Sequence, residues 1–157
     1  MAFALTSPSF QHAQEIPRQH TCEGADQAPA LEWSRAPAGT RSFALIIDDP
    51  DAPDPKAPKM TYVHQVAFNI PAGAAGLPAG GALPAGAKSG LNDWKRQGYG
   101  GPCPPIGRHR YFFKLYALDV ELPGLESPTK PQLLAAMEGH VLAQAELVGT
   151  YQKQGKR

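Results

Sequence analysis

The sequence predicts a mainly β domain. Its 157 residues include 17 prolines and 16 glycines, well above average usage, and such residues favour short strands joined by fixed turns. Three stretches are apolar or alternate between polar and apolar residues, as strands do: Ser42 to Ile47, Tyr62 to Ile70 and His109 to Asp119. Helical spacing is confined to one stretch near the C-terminal end. We therefore expect several strands and one main helix.

Length and charge restrict the class of protein. A chain of 157 residues suits a single domain, which we assign to residues 1–157. The net charge is +1 with both signs mixed, so the sequence has no electrostatic footprint for nucleic acid. Residues 1–10 lack the basic and apolar regions of a signal peptide, and no segment reaches transmembrane length. We therefore expect a cytoplasmic protein with no membrane span.

Two cysteines, Cys22 and Cys103, are too few for a disulfide scaffold, and their spacing fits no zinc motif. We interpret them as two partly buried thiols in a reducing compartment. A Cys22–Cys103 disulfide is the alternative. The sequence predicts no bound metal and no cofactor.

The run from Gly100 to Asp119 joins a rigid loop to a buried strand. Glycine and proline dominate its first eight residues, which excludes a regular helix or a central strand there. In the strand that follows, alternate side chains share a face, so His109 and Tyr111 point one way and Arg110 points the other. An imidazole and a phenol beside a rigid loop indicate a small polar pocket.

Carboxylates follow directly after the predicted strand Ser42–Ile47. Asp48, Asp49 and Asp51 are interrupted by proline, and carboxylates at the end of a buried strand are costly unless cations or hydrogen-bond donors face them. A solvated acidic turn is the alternative. We expect the carboxylates at the rim of a pocket, with Arg110 paired to one of them.

His64 lies on the alternating strand Tyr62–Ile70, on the same face as Val66 and Phe68. A lone histidine on an apolar strand face is more often a buried structural group than a functional one. The aspartates and His109 favour the second interpretation here, in which His64 belongs to the pocket.

The remaining segments predict loops, one helix and short strands. Residues 71–90 are rich in alanine, glycine and proline, and this composition predicts a long surface loop. The alternative is that this loop acts as a lid over the pocket. Thr129 is the expected N-cap of a helix of about four turns that runs to Ala145. We also expect a short strand at Leu147–Tyr151 and a cis bond at Ala52–Pro53.

Four motifs resemble the phosphatidylethanolamine-binding protein family, in its bacterial and archaeal Raf-kinase-inhibitor-like branch. They are DDPDAP, VHQVAFNIP, GYGGPCPPIGRHRYFFKLYALD and AELVGTY, in this order along the chain. The resemblance implies a large central antiparallel sheet packed on a smaller one, with a C-terminal helix and short helical turns. It also implies a small pocket for phosphate or a phosphorylated, phosphoethanolamine-type head group.

Carried over to this chain, the resemblance implies a set of ligand-binding residues contributed by two strands and two loops. They are Asp49, Asp51, His64, Gly101, Pro102, Pro104, Pro105, His109 and Tyr111. It further implies a kinase or protease as a protein partner, and bacterial relatives imply a homodimer.

We interpret the protein as a binding protein without catalytic residues. The alternative is a hydrolase that uses the same histidines and aspartates with a metal, or Cys103 as a thiol nucleophile. The sequence has no HExxH, no paired cysteines and no G-x-S-x-G elbow, which disfavours that alternative.

Overall fold

The computed structural model describes residues 3–80 and 82–153. Its strands form two antiparallel sheets, and one α-helix lies near the C-terminal end. The strand bounds are β1 Ala4–Thr6, β2 Leu31–Ser34, β3 Ser42–Ala52, β4 Met60–Pro71, β5 Gly76–Leu77, β6 Lys88–Ser89, β7 Arg108–Leu118 and β8 Val141–Gln152. Helix α1 spans Lys130–Met137, and a short 3-10 turn spans Arg18–His20.

The sheet arrangement confirms the predicted fold class. The smaller sheet has the order β1-β2-β5, and the larger has the order β6-β4-β3-β7-β8. The two short strands β5 and β6 lie within the predicted loop 71–90. The Ala52–Pro53 bond is cis, as expected.

Alternation along the central strands divides the core into two halves. On one face, Phe43, Leu45 and Ile47 of β3 pack towards the smaller sheet, together with Phe113 and Leu115 of β7. On the other face, the core includes side chains of β3, β4 and α1, namely Ala44, Ile46, Val66, Phe68, Leu133 and Met137.

The predicted face of β7 is the observed one. The predicted face of β4 is wrong at His64: Val66 and Phe68 lie in the second half of the core with Val63, whereas His64 packs against Tyr111 of the first half. The pairing with β3 shifts register at this point, between Ile47–Gln65 and Asp48–Val63, so alternation is interrupted at His64.

Strand β3 is longer than predicted and continues through Ala52. Its pairing with β4 is irregular between Ile47 and Asp48 and again between Asp49 and Ala52. This extension could not be predicted from the sequence, because a polar run with prolines after an apolar strand is typical of a turn. In the structure, the carboxylates find partners within the protein and remain in the sheet.

The predicted four-turn helix is wrong beyond Met137. Helix α1 has eight residues, and its capping box joins Thr129 and Gln132 as the N-cap prediction requires. Gly139 has a φ of +83°, which turns the chain out of the helix. Residues 141–152 then form a full strand against β7, because long-range pairing outweighs local helical spacing. The predicted short strand at Leu147–Tyr151 is thus the end of β8.

The prediction of two free thiols is also wrong. Cys22 and Cys103 form a disulfide with an S–S distance of 2.07 Å, across a sequence separation of 81 residues. Their loops are held together independently by a hydrogen bond from the Cys22 N–H to the Pro102 carbonyl, at 3.1 Å. This proximity arises from the packing of the whole domain, so cysteine spacing could not reveal it.

Among residues 3–80 and 82–153, no helix has the length and apolar character needed to cross a bilayer.

Candidate functional site

A cavity of about 500 Å³ lies where β3 ends, β4 begins and β7 begins. The proline-rich loop before β7 forms one wall, and Trp94 contributes another. The lining residues are Asp49, Ala52, Pro53, Lys59, Met60, Tyr62, His64, Trp94, Cys103, Pro104, Pro105, His109 and Tyr111. A cavity therefore lies where the sequence predicts a pocket, although its lining is mainly apolar, and its segments come from distant parts of the chain.

Asp49 and His109 form a buried ion pair in the wall of this cavity. The Asp49 Oδ2 atom lies 2.6 Å from His109 Nδ1, and the two side chains are 4% and 1% exposed. The other carboxylate oxygen of Asp49 accepts the Asp51 N–H at 2.7 Å. Both oxygens of Asp49 are thus engaged within the protein.

Both ring nitrogens of His109 face acceptors. Nε2 lies 2.8 Å from the Ile106 carbonyl and 3.1 Å from the Pro53 carbonyl, while Nδ1 faces the Asp49 carboxylate. Carbonyl and carboxylate oxygens only accept, so these contacts are all satisfied when both nitrogens carry a proton. His109 is then a cation that neutralises Asp49 and anchors the loop before β7. Its nitrogens are not free to contact a ligand.

His64 has the opposite arrangement. Its Nδ1 donates to the Gly100 carbonyl at 2.8 Å, and the described residues place no hydrogen-bond partner at Nε2. Burial lowers the pKa of His64 below its ordinary value, although the Gly100 hydrogen bond and the Asp49 charge oppose this change. His64 is therefore a neutral imidazole whose Nε2 presents a lone pair.

The Tyr111 hydroxyl is the second polar group without a partner at this site. Tyr111 is 1% exposed, and its oxygen has no hydrogen-bond partner among the described residues. Burial, followed by the charge of Asp49, raises the pKa of Tyr111 above its ordinary value, so the phenol keeps its proton. Its ring packs edge-on against His64, with centroids 5.2 Å apart. The pocket thus contains a neutral donor and a neutral acceptor side by side.

Asp51 lies beside the site without lining the cavity. Its two oxygens accept from Arg110 Nε at 3.0 Å and from Arg110 Nη2 at 2.9 Å. The Arg110 hydrogen bond holds the pKa of Asp51 below its ordinary value and raises that of Arg110. This confirms the predicted pairing of Arg110 with an aspartate of the acidic segment. It also leaves no Asp51 oxygen directed to a ligand.

Charge reversal at Arg110 is expected to lower stability. An Arg110→Glu variant would place a carboxylate against Asp51, and we expect the free energy of unfolding to fall by about 2 kcal/mol, between typical values for exposed and buried pairs. Urea denaturation measures this loss, and Arg110→Lys should lose less because it keeps the charge. An unchanged midpoint for Arg110→Glu would contradict the structural role.

The predicted wall residues fall into two groups. Pro104 and Pro105 line the cavity, as expected. Gly101 and Pro102 lie behind it: the Gly101 N–H donates to Asp26 at 2.8 Å, and a Cβ at Gly101 would collide with Asp26 Oδ1 and the His20 carbonyl. Gly101 is therefore required by a close approach of two loops.

The predicted set omits seven lining residues, namely Ala52, Pro53, Lys59, Met60, Tyr62, Trp94 and Cys103. Tyr62 packs edge-on against Trp94 with centroids 4.9 Å apart, and Lys59 and Met60 lie where β4 begins. Tyr62 could have been found, because it is two residues before His64 and shares its strand face. Trp94 follows a turn, and nothing local indicates its direction.

The described residues also bear on the hydrolase alternative. Within residues 3–80 and 82–153, no group of three or more histidine, cysteine, aspartate or glutamate side chains is placed to hold a metal ion. The sulfur of Cys103 is bonded to Cys22, so it is not a thiolate in this state.

Comparisons with known proteins agree with this architecture. The family model described as phosphatidylethanolamine-binding protein matches residues 6–152. The chain belongs to the phosphatidylethanolamine-binding protein family. The family resemblance drawn from the four sequence motifs is thereby confirmed.

Individual relatives cover almost the whole chain. A UPF0098 protein of Methanothermobacter thermautotrophicus is 45% identical over 153 residues, which cover 95% of this chain and 98% of the relative. The crystal structure of a phosphatidylethanolamine-binding protein homologue, CT736 of Chlamydia trachomatis, has a TM-score of 0.91 at 40% identity and covers 98% and 99% of the two chains. A Mycobacterium tuberculosis protein named as lipoprotein LppC is 43% identical over 150 residues, which cover 94% of this chain and 71% of LppC. Membership of the family supports a binding-protein fold.

Proposed function

We propose that the protein binds phosphate or a small phosphorylated head group in the cavity beside His64, without catalysing a reaction on it. The observation that carries this proposal is the pair of unpartnered polar groups in the pocket, the Tyr111 hydroxyl and His64 Nε2. Buried polar groups are normally hydrogen-bonded, so a pocket that leaves the buried Tyr111 hydroxyl unsatisfied, next to a His64 Nε2 without a partner among the described residues, is suited to a polar ligand.

The two groups differ in the role they can take towards a phosphoryl group. The Tyr111 O–H can donate to a phosphate oxygen. His64 Nε2 can accept from a P–OH group, or it can take up a proton and donate. Lys59 adds a positive charge to the lining. Asp49 does not repel the ligand strongly because His109 neutralises it.

The predicted ligand roles of the aspartates change with this geometry. The oxygens of Asp49 and Asp51 already accept hydrogen bonds from groups that include His109 and Arg110, so they are not available to an ammonium group on the ligand. The faces of Tyr62 and Trp94 offer it an alternative, because aromatic rings attract cations. We therefore propose that these rings, and not the carboxylates, receive the ethanolamine end.

The proposed affinity is weak. Two or three charge-assisted hydrogen bonds contribute about 1.5–3 kcal/mol each before losses. Entropy and desolvation reduce this gain, so we expect a Kd between about 1 mM and about 1 μM for a free head group.

We expect phosphoethanolamine to shift the NMR signals of His64 and Tyr111, and to bind more tightly at about pH 5.5 than at about pH 8. The pKa of His64 is depressed by burial, so the ring is neutral near pH 7, and an anion at Nε2 favours its protonated form. The second proton of a phosphomonoester is lost near pH 6, so acid also increases the P–OH form that a neutral His64 can accept from. Protonation of His64 and protonation of the phosphate both tighten binding as the pH falls.

A matched pair of variants tests the role of the hydroxyl. Tyr111→Phe should weaken binding about tenfold, the value of one hydrogen bond. Tyr116→Phe removes a hydroxyl on the other face of the same strand and should leave affinity unchanged. Signals that stay constant at saturating phosphoethanolamine, or equal affinities for the two variants, would contradict the proposal.

We also propose two kinds of protein contact that the family resemblance implies. One is with a kinase or protease that the protein regulates, and the other is with a second copy of the chain in a homodimer. They are compatible with ligand binding, because a partner could contact the rim of the cavity.

The cytoplasmic location predicted from the sequence rested partly on two free thiols. Disulfides persist mainly in oxidising compartments, so the Cys22–Cys103 bond argues against that location. We therefore propose an oxidising compartment instead, a location that also suits a relative named as a lipoprotein.

A further inference from the structure

The disulfide beside the cavity joins two cysteines that differ in exposure. Cys22 is an exposed residue in a turn, and residues 24–27, which follow it, are exposed as well. Cys103 is half-buried and lines the cavity. The bond therefore connects a residue that external molecules can approach to a residue of the cavity wall. A chemical change at Cys22 reaches the cavity through this bond.

Hydrogen bonds join the same two loops independently of the disulfide. Their donors and acceptors are the Cys22 N–H and the Pro102 carbonyl at 3.1 Å, the Gly101 N–H and Asp26 Oδ1 at 2.8 Å, and the Tyr99 hydroxyl and the His20 carbonyl at 2.7 Å. In the folded protein these contacts keep the loops adjacent when the S–S bond is open. Opening the bond therefore loosens the cavity wall without separating the loops.

Access and charge both favour attack on the sulfur of Cys22. In thiol–disulfide exchange a thiolate attacks one sulfur, and the other sulfur leaves more readily when its own thiolate is stabilised. Among the charged residues that line the cavity with Cys103, Asp49 and His109 neutralise each other, which leaves the positive charge of Lys59. A nearby cation stabilises a thiolate. Cys103 is therefore the better leaving group, and Cys22 is the more accessible target.

We propose that Cys22 is a site of reversible S-thiolation by a small thiol, and that this modification weakens ligand binding in the cavity. An external thiolate, R–S⁻, forms a bond to the Cys22 sulfur, the S–S bond breaks, and its electron pair leaves on Cys103 as a thiolate. The products are a mixed disulfide at Cys22 and a free Cys103 thiolate. Attack of that thiolate on the Cys22 sulfur reverses the step and releases R–S⁻. A second external thiolate instead removes R as R–S–S–R, which completes a two-electron reduction of the pair by two thiols.

The expected effect on the cavity follows from the position of Cys103. It directly precedes Pro104 and Pro105, which form the wall, and the disulfide holds this wall to the loop that contains Cys22. A site whose wall is fixed in advance binds more tightly, because binding then costs less ordering. The Cys103 thiolate also adds a negative charge that opposes an anionic ligand. This effect on affinity rests on the proposed function, whereas the modification of Cys22 does not.

Mass spectrometry of the modified protein tests the site of attack. Folded wild-type protein is incubated with excess reduced glutathione, and the remaining thiols are then alkylated with iodoacetamide. Trypsin places the two cysteines on separate peptides, residues 19–35 and 97–108. We expect glutathione on the peptide with Cys22 and the alkyl group on the peptide with Cys103. Glutathione mainly on Cys103, or no adduct until urea unfolds the protein, would overturn the proposal.

Two single variants test whether the thiols differ in their relation to the cavity. Cys22→Ser leaves the Cys103 thiol, and Cys103→Ser leaves the Cys22 thiol. Saturating phosphoethanolamine should slow the alkylation of Cys103 by iodoacetamide about tenfold, because a ligand in a cavity covers its lining. The alkylation of Cys22 should be unaffected. Equal protection of the two thiols would refute the link between this bond and the ligand site.

Affinity measurements test the regulation. Wild type with glutathione on Cys22 should bind phosphoethanolamine about fivefold more weakly than the disulfide form, and oxidised glutathione should restore the affinity as it re-forms the bond. The double variant, Cys22→Ser with Cys103→Ser, should not respond to glutathione. Near-UV circular dichroism checks that the modified protein keeps its packing. An unchanged affinity, or loss of the near-UV signal on modification, would contradict regulation by this bond.

The modification site and the ligand proposal can fail separately. If phosphoethanolamine leaves the His64 signals of the disulfide form unchanged, the ligand proposal fails, whereas an adduct on Cys22 still establishes the modification site. If those signals shift and folded protein forms no adduct with glutathione, the ligand proposal stands and S-thiolation of Cys22 is refuted.

Discussion

Replacement of Asp49 by alanine is expected to lower the free energy of unfolding by about 3–5 kcal/mol, the range for removing one partner of a buried ion pair. The change would leave the His109 cation without its counter-charge in a site where His109 is 0% exposed. It would also leave the Asp51 N–H without its acceptor. Urea denaturation at neutral pH measures the loss.

The chain contains a matched control for this experiment. Asp119 and His140 form the same kind of pair, with Oδ1 and Nδ1 2.9 Å apart, but each side chain is 43% exposed. Asp119→Ala should therefore cost less than about 1 kcal/mol, as exposed pairs do. If Asp49→Ala and Asp119→Ala cost the same, His109 is not held as a buried cation.

Removal of the disulfide is expected to cost about 4 kcal/mol, because the closed loop is long and an open chain gains much conformational entropy. The Cys22–Cys103 bond spans 81 residues, which include β2, β3 and β4. A double variant, Cys22→Ser with Cys103→Ser, should show this loss in urea denaturation without reductant.

The same variant should bind phosphoethanolamine more weakly. Cys103 lines the cavity next to Pro104 and Pro105, so the bond ties the cavity wall to the loop that contains Cys22. Dithiothreitol should destabilise wild type to the level of the double variant and leave the double variant unaffected. A stability loss below about 1 kcal/mol would show that other contacts already hold the two loops together.

Strand periodicity made much of the site predictable. The period of two placed His109 and Tyr111 on one face and Arg110 on the other, and the structure has all three as predicted. The cost of burying a carboxylate also predicted that Arg110 would face an aspartate. These inferences succeed because they depend on neighbours in sequence and on simple electrostatics.

Features that depend on distant backbone were not predictable. The carbonyls of Ile106 and Pro53 occupy His109 Nε2, and no sequence pattern reveals which way a carbonyl points. Their presence changes His109 from an expected ligand donor to the anchor of the loop. The disulfide and the position of Trp94 have the same origin, because the packing of the whole domain determines them.

The strict alternation along β7 restricts which mutations this strand can tolerate. An insertion of one residue upstream in that strand would send His109 and Tyr111 to the opposite surface and move Phe113 out of the interior at the same step. The cavity wall and the core would be lost together. Lengthening or shortening is therefore better tolerated in the connecting segments, whereas β7 can vary only by exchange of one side chain for another.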